Sequence, residues 1–265
     1  MTEIETWVAA AEAAADVAGA VIRPFFRAPL EPTQKADRSP VTIADRTAEQ
    51  AMRAVLAERF PEHGILGEEF GLDRPEASLR WVLDPIDGTR AFITGRPVFG
   101  TLVALLQDGV PVLGLIDQPV TGERWVGVTG RATRFRGPFG GRTGCRPCPE
   151  IGAAELSCTS PAMLDAAETR RWQRLADSVG RVSWGGDCYA YGLLALGQID
   201  LVAEAEMQPW DWAALVPVVE GAGGRLTDWE GQPMRPGGGK RVLAVGDPAR
   251  LPEAVALLAA GRPGG

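Results

Sequence analysis

The chain has 265 residues and a formal charge of −7, from 27 Lys+Arg against 34 Asp+Glu. With 45% hydrophobic and 23% charged residues it has the makeup of a folded globular protein and excludes a disordered chain. The acidic balance argues against a nucleic-acid binder that works by neutralising phosphates, and no apolar run approaches the roughly 18–20 residues of a membrane helix. A small phosphorylated substrate stays open, because bound cations reverse the local charge of a site. The Ala-rich stretch 7–20 is preceded or interrupted by Glu3, Glu5, Glu12 and Asp16, unlike a secretory leader, so a cytoplasmic protein is expected.

Taken in chain order, Ile4, Trp7, Val8, Ala11, Ala15, Ala18 and Ile22 recur near helical spacing and predict a helix over 4–28, ended by Pro24, Pro29 and Pro32. A second helix is predicted over 44–60, with Ala48, Met52, Val55, Leu56 and Phe60 on one face. Short apolar runs then predict strands: one near Ile65 and Leu66, one at Trp81-Val82-Leu83 ending at Asp84, then 99–106, 110–116 and 124–128. Asp108-Gly109 between two of them is a hairpin signal. The Gly-, Arg- and Pro-rich stretch 130–148 reads as a loop or hairpin tip. It divides a single unit into two halves, about 1–140 and 141–265.

The second half alternates. Strands are expected near 156–157, 182–183, 199–203, 225–228 and 241–245, and helices over 162–179, 189–197, 212–221 and 249–260, before a frayed tail at Gly261–Gly265. A strand-rich half followed by an alternating half points to a layered α/β or α+β architecture. Four cysteines (Cys145, Cys148, Cys158 and Cys188) are too few for a disulfide framework. Cys145-Arg-Pro-Cys148 has a metal-like or redox-like spacing, but without further ligands nearby or a flanking strand and helix it reads as an inert surface loop. The sole histidine, His63, lies in a Pro-Glu-His-Gly turn and is expected at the surface.

The densest constellation is Trp81-Val82-Leu83-Asp84-Pro85-Ile86-Asp87-Gly88-Thr89. An apolar strand delivers Asp84 at its end, Pro85 breaks the ladder, and Asp87 follows three residues on, with the Ile86 carbonyl as a neutral oxygen between them. Gly88 and Thr89 open the next short helix, where outward backbone N–H groups make an anion site. Oxygen ligands beside an anion site suit Mg²⁺ holding a phosphate. Taken alone, such a string is turn chemistry. Its company changes the reading: Glu68 follows the Ile65-Leu66 pair, Asp45 opens the second helix, and Asp211 opens a later one. Singly, Asp45 and Asp211 read as helix N-caps. Together, this many acids at element ends would repel one another, and a metal cluster is the simplest relief.

Glu68-Glu69, residues 81–89, Trp210-Asp211 and the following Glu220-Gly221-Ala222-Gly223-Gly224 resemble the inositol monophosphatase superfamily of Mg²⁺-dependent, lithium-sensitive phosphatases. The resemblance spans most of the chain. It implies a layered αβαβα sandwich, assembled as a homodimer, with two or three Mg²⁺ ions held by Glu68, Asp84, the Ile86 carbonyl, Asp87 and Asp211. It also implies that Asp45 and Thr89, with Glu68, position and activate the attacking water, and that Gly88 and Thr89 bind phosphate.

Residues 185–192 (Gly-Gly-Asp-Cys-Tyr-Ala-Tyr-Gly), residues 197–204, Asp117-Gln118-Pro119 and residues 121–125 look like the histidinol-phosphatase branch. The chain departs from that branch at Ala205-Glu206-Met207 and at Trp210 and Trp212. Histidinol phosphate carries an ammonium and an imidazole, so its site should offer anions away from the phosphate. By register with the family's substrate contacts, Asp187, Glu204 and Gln208 fall at the alcohol end, while Tyr189 and Tyr191 read as helix packing. The expected function is an Mg²⁺-dependent histidinol-phosphate phosphatase of histidine biosynthesis, acting on a small phosphate monoester. The alternatives are an inositol-1-monophosphatase or broader sugar or nucleotide phosphatase and, more remotely, a non-catalytic scaffold or RNA-associated protein that keeps the fold.

Overall fold

The computed structural model describes residues 2–29, 33–34 and 40–259, so the tail expected to fray lies outside the described residues. Helix α1 spans Glu3–Ile22 and starts at a capping box, in which Thr2 N–H donates to Glu5 Oε2 at 2.8 Å. It stops six residues short of the expected 28: a 3-10 turn at Arg23–Phe25 carries Pro24, whose missing N–H ends the α-helical ladder. The two-residue strands β1 (Thr33–Gln34) and β2 (Pro40–Val41) pair antiparallel, and α2 follows at Ile43–Arg59.

The first sheet comprises β3 (Gly64–Gly67), β4 (Gly71–Asp73), β5 (Leu79–Asp87), β6 (Gly100–Gln107), β7 (Val110–Gln118), β8 (Glu123–Val128) and β9 (Arg134–Arg136). Their order is β4-β3-β5-β6-β7-β8-β9, antiparallel except between β3 and β5. Short α3 (Thr89–Ile93) sits between β5 and β6. The β6–β7 hairpin turns as expected at Asp108 (φ 49°) and Gly109 (φ 77°), the paired positive angles of a type I′ turn. Strand β9 lies within the stretch read as loop or hairpin tip, and three residues carry too weak an alternation to announce it.

The second sheet comprises β10 (Glu155–Cys158), β11 (Arg181–Trp184), β12 (Leu201–Glu204), β13 (Arg225–Thr227) and β14 (Val242–Val245), in the order β11-β10-β12-β14-β13. Its helices are α4 (Ala166–Ala176), α5 (Asp187–Ala195), α6 (Pro209–Trp212), α7 (Leu215–Gly221) and α8 (Leu251–Ala259). The single helix expected over 212–221 is thus two, α6 and α7.

Strand alternation sorts the core into layers. On β5 and β6, Trp81, Leu83, Val103 and Leu105 face the Ala-rich side of α1 and α2, where fully buried Ala10, Ala11, Ala14, Ala15 and Ala18 permit close approach. Val82, Leu102, Ala104 and Leu106 face the opposite way, onto Tyr191 and Leu194 of α5, Trp212 of α6 and Val218 of α7. Val202 and Ala244 of the second sheet close that middle layer, while Leu201, Ala203 and Leu243 turn to Trp172 of α4 and Leu258 of α8. The result is the αβαβα sandwich that the sequence resemblance implies. Among the described residues no helix is long and apolar enough to cross a membrane.

Two sequence expectations are corrected by packing. Cys148 is not at the surface: it is 4% exposed within the outer core, and burial pushes the neighbouring Cys145 thiol up to about 11. Both are free thiols. His63 is half-buried, stacked 4.7 Å from Phe60 and 6.2 Å from Trp81, and its pKa is lowered by burial.

Gly114 and Gly127 are register partners on β7 and β8, and together they seat α7. A Cβ on Gly114 would lie 2.0 Å from the Ala214 carbonyl oxygen, and one on Gly127 2.3 Å from the Pro217 backbone. Gly114→Ala is therefore expected to lower stability by about 1–3 kcal/mol in urea unfolding, through forced displacement of backbone. A loss within the error of the measurement would contradict this seating.

Candidate active site

The end of β5 determines the geometry. Side chains alternate along a regular strand, so residues three apart face opposite sides. Here Asp84 pairs with Leu102 but Asp87 with Gly100, so β5 carries one residue more than β6 between the two registers. This bulge returns Asp87 to the side of Asp84. Pro85 lacks the N–H a ladder would need, its carbonyl accepts from Thr101 Oγ1 at 2.8 Å, and Ile86 N–H folds back onto Asp84 Oδ1 at 3.0 Å. Candidate ligand oxygens of Asp84, Asp87 and Asp211 then lie within 4.8 Å of one another.

Each of these acids is anchored through one oxygen by backbone. Besides Ile86 N–H on Asp84, Cys188 N–H donates to Asp87 Oδ2 at 2.6 Å and Gln208 N–H to Asp211 Oδ2 at 2.7 Å. No described lysine, arginine or histidine pairs with any of the three. Burial, then the charges of Glu68, Asp87 and Asp211, hold the Asp84 carboxyl well above its usual range. Burial, then Asp187 and Asp211, do the same to Asp87, and burial with the charges of Glu68 and Glu204 pushes Asp211 up to about 7. Such an oxygen-only cluster, with no cationic partner among the described residues, fits a hard divalent cation.

Asp45 serves two ends at once. Its Oδ2 accepts from Thr42 N–H (2.8 Å) and Thr42 Oγ1 (2.5 Å), closing the capping box of α2, while its Oδ1 accepts from Thr89 Oγ1 at 3.4 Å. The Thr89 hydroxyl has the buried Ile86 carbonyl as a second acceptor at 3.2 Å, so its one proton has two destinations. Gly88 is left-handed (φ 87°), and a Cβ there would lie 2.7 Å from Asp187 Cγ.

A cavity of about 390 Å³ opens over these groups between the two sheets. Glu68, Asp87, Gly88, Thr89, Asp187, Glu204 and Asp211 all line it. Asp187 stands at the head of α5 with φ 44°. Its backbone N–H donates to Thr159 Oγ1, whereas no described residue donates to its carboxylate, which burial and Glu204 push up to about 7 against Arg96 and Arg90. Glu204 is fully engaged, accepting from Thr159 N–H at 2.7 Å and from Tyr191 O–H at 2.9 Å. Tyr189 turns elsewhere, to Glu123 at 2.7 Å.

Gln208 is not brought to the cavity lining. It precedes α6 in extended backbone, and its contribution is the N–H that fixes Asp211. Conversely, the sequence reading passed over Arg90, Arg96, Thr159 and Met163, which line the cavity, and Glu49, which holds the loop after Glu68. Glu49 follows Asp45 by one helical turn, and that spacing was the available signal.

The sequence model of the inositol monophosphatase family matches residues 3–260. The chain belongs to the inositol monophosphatase family. Among curated relatives, the bifunctional phosphatase IMPL2 of Arabidopsis thaliana is 49% identical over 87% of this chain, a match spanning 66% of that protein. The histidinol-phosphatase of Mycobacterium tuberculosis is 39% identical over 80% of this chain and 82% of its own length. Among solved structures, an inositol monophosphatase from Zymomonas mobilis aligns with a TM-score of 0.89 at 48% identity, covering 97% of this chain and 99% of that one. In this family member Glu68, Asp87, Thr89 and Asp211 line one cavity, with Asp84 joined to them in the acidic cluster and Asp45 through the Thr89 hydroxyl.

Raised carboxyl pKa values have a definite sign. Asp211 and Asp187 keep protons to about pH 7 in the folded chain, where the unfolded chain has already lost them. Their contribution to stability is complete below about pH 4, the usual aspartate range, and disappears as pH rises through 7. A divalent cation held by the cluster replaces the Asp211 proton, so its addition should raise Tm more at pH 8 than at pH 5.5. An equal shift at the two pH values would count against a cation held by these carboxylates.

Proposed function

We propose that the protein is a Mg²⁺-dependent phosphate monoesterase whose preferred substrate is histidinol phosphate, within histidine biosynthesis. Glu68, Asp84, the Ile86 carbonyl, Asp87 and Asp211 would hold two or three ions. Bound there, Mg²⁺ supplies charge neutralisation for a phosphate dianion and makes a nearby water more acidic. The chain's own residues do the rest. Backbone N–H groups at Gly88 and Thr89 receive the phosphate oxygens. Thr89 Oγ1 orients the attacking water and passes a proton towards Asp45, whose carboxyl pKa is raised by burial. Glu68, on the cavity wall, shares that duty.

The observation that carries the substrate assignment is the Asp187 carboxylate, which lines the cavity beside Glu204 and receives no hydrogen bond from a described residue. Two acids at the alcohol end suit an ammonium or imidazolium better than a neutral polyol, whose hydroxyls need both donors and acceptors. The likeness to the mycobacterial histidinol-phosphatase supports the same reading. A second reading, an inositol-type monophosphatase, is favoured by Arg90 and Arg96 at the cavity wall and by the likeness to the Zymomonas enzyme.

Phosphate release from histidinol phosphate, inositol 1-phosphate, fructose 1,6-bisphosphate and adenosine 3′,5′-bisphosphate separates the two. The expected result is a kcat/KM for histidinol phosphate at least tenfold above the others. A preference for inositol 1-phosphate would retire the assignment. Asp187→Ala should raise KM for histidinol phosphate about tenfold with kcat little changed, the loss of one charge-assisted hydrogen bond. An unchanged KM would remove Asp187 from the ammonium site.

A further inference from the structure

The loop that carries Glu68 is held by two side chains outside the cavity. Glu49 lies on α2 one helical turn after Asp45, so the two acids share a face. Its side chain is 0% exposed and is gripped on both oxygens. Oε2 accepts from Glu69 N–H at 2.7 Å, and Oε1 from Phe70 N–H at 3.3 Å and Arg53 Nε at 2.8 Å. Arg53, a turn further on, also donates Nη2 to the Gly71 carbonyl at 2.5 Å. At the end of β3, a Cβ on Gly67 would lie 1.9 Å from Glu49 Oε1, so the absent side chain is what admits the carboxylate. Residues 67, 69, 70 and 71 thus all meet the Glu49–Arg53 pair, and Glu68 stands among them.

We infer that Glu49 is a positioning residue: by bonding the backbone just after Glu68 and packing against Gly67 just before it, Glu49 fixes the Glu68 carboxylate against Asp84, Asp87 and Asp211 and so sets the cation affinity of the site. The inference rests on the metal-site reading proposed above. A buried carboxylate left unpaired would be costly and would add to the repulsion between the neighbouring acids. Arg53 neutralises it, so Glu49 can hold N–H groups without that penalty. The requirement is for two acceptor oxygens. Glutamine offers one acceptor and one donor, so whichever way its amide turns, at least one loop N–H or the Arg53 N–H meets an NH₂ group. The loop then relaxes and carries Glu68 with it. Glu49→Asp keeps both acceptors and the charge but is one methylene short of the loop.

The test is Mn²⁺ binding to the full chain, read by isothermal calorimetry and by the electron paramagnetic resonance signal of free Mn²⁺, beside thermal unfolding of each variant. Glu49→Gln should raise the Mn²⁺ Kd about tenfold, and Glu49→Asp should raise it in the same direction. Substrate KM at saturating cation should stay near wild type, because the alcohol end is built from α5 and β12. A fall in Tm with wild-type Mn²⁺ affinity would show a purely structural role and overturn the inference. If Glu49→Gln does not fold, Glu49→Asp carries the same criterion. Failure of the wild-type chain to bind Mn²⁺ would overturn the metal-site reading itself, and is seen before any variant is compared.

Discussion

Mutual repulsion among carboxylates crowded at strand and helix ends is the constraint around which this molecule is arranged. Candidate ligand oxygens of Asp84, Asp87 and Asp211 lie within 4.8 Å of one another, and no described lysine, arginine or histidine pairs with them. Left to itself, such a group would protonate or move apart. The fold prevents separation by fastening each acid through a backbone N–H and setting the strand ends in layers whose cores are fully buried. A structure that holds like charges together in this way stores an unfavourable energy that a divalent cation relieves. Affinity for the cation and stability of the chain are therefore two faces of one interaction.

The same economy appears in the helix caps. Asp45 and Asp211 each take the third position of a helix and accept from the residue before it. That capping role and a role in chemistry are usually weighed as rivals. Here one carboxylate oxygen does the capping and leaves the other for Thr89 or for the acid cluster. The cap fixes the side-chain torsions of each acid, and a fixed side chain loses less entropy on meeting a ligand. Glu49 extends this logic along α2, because a rigid helix spaces Asp45 and the clamp on the Glu68 loop by one turn.

The layered fold was largely legible in the sequence. Long periodic elements such as α2 and the β6–β7 hairpin were placed within a residue or two, because burial on one face leaves a strong pattern. What was missed is short or depends on contacts remote in sequence. β9 has three residues, and α1 ended early because Pro24 acts at once, before Pro29 or Pro32. In the candidate site, the acids at strand and helix ends could be picked out because charged residues stand out against apolar runs. Their convergence could not, since it depends on a bulge in β5 and a contact between Asp87 and the backbone of α5, 101 residues away. For Gln208, register along the chain did not reveal that its backbone N–H fixes Asp211.

The central claim is that these acids gather to hold divalent cations. The most direct measurement is anomalous diffraction from crystals soaked in Mn²⁺, which locates the ions without reference to any substrate. The account predicts anomalous peaks bounded by oxygens of Glu68, Asp84, Asp87 and Asp211. Well-ordered carboxylates with no peak between them, or peaks confined to surface acids, would contradict it.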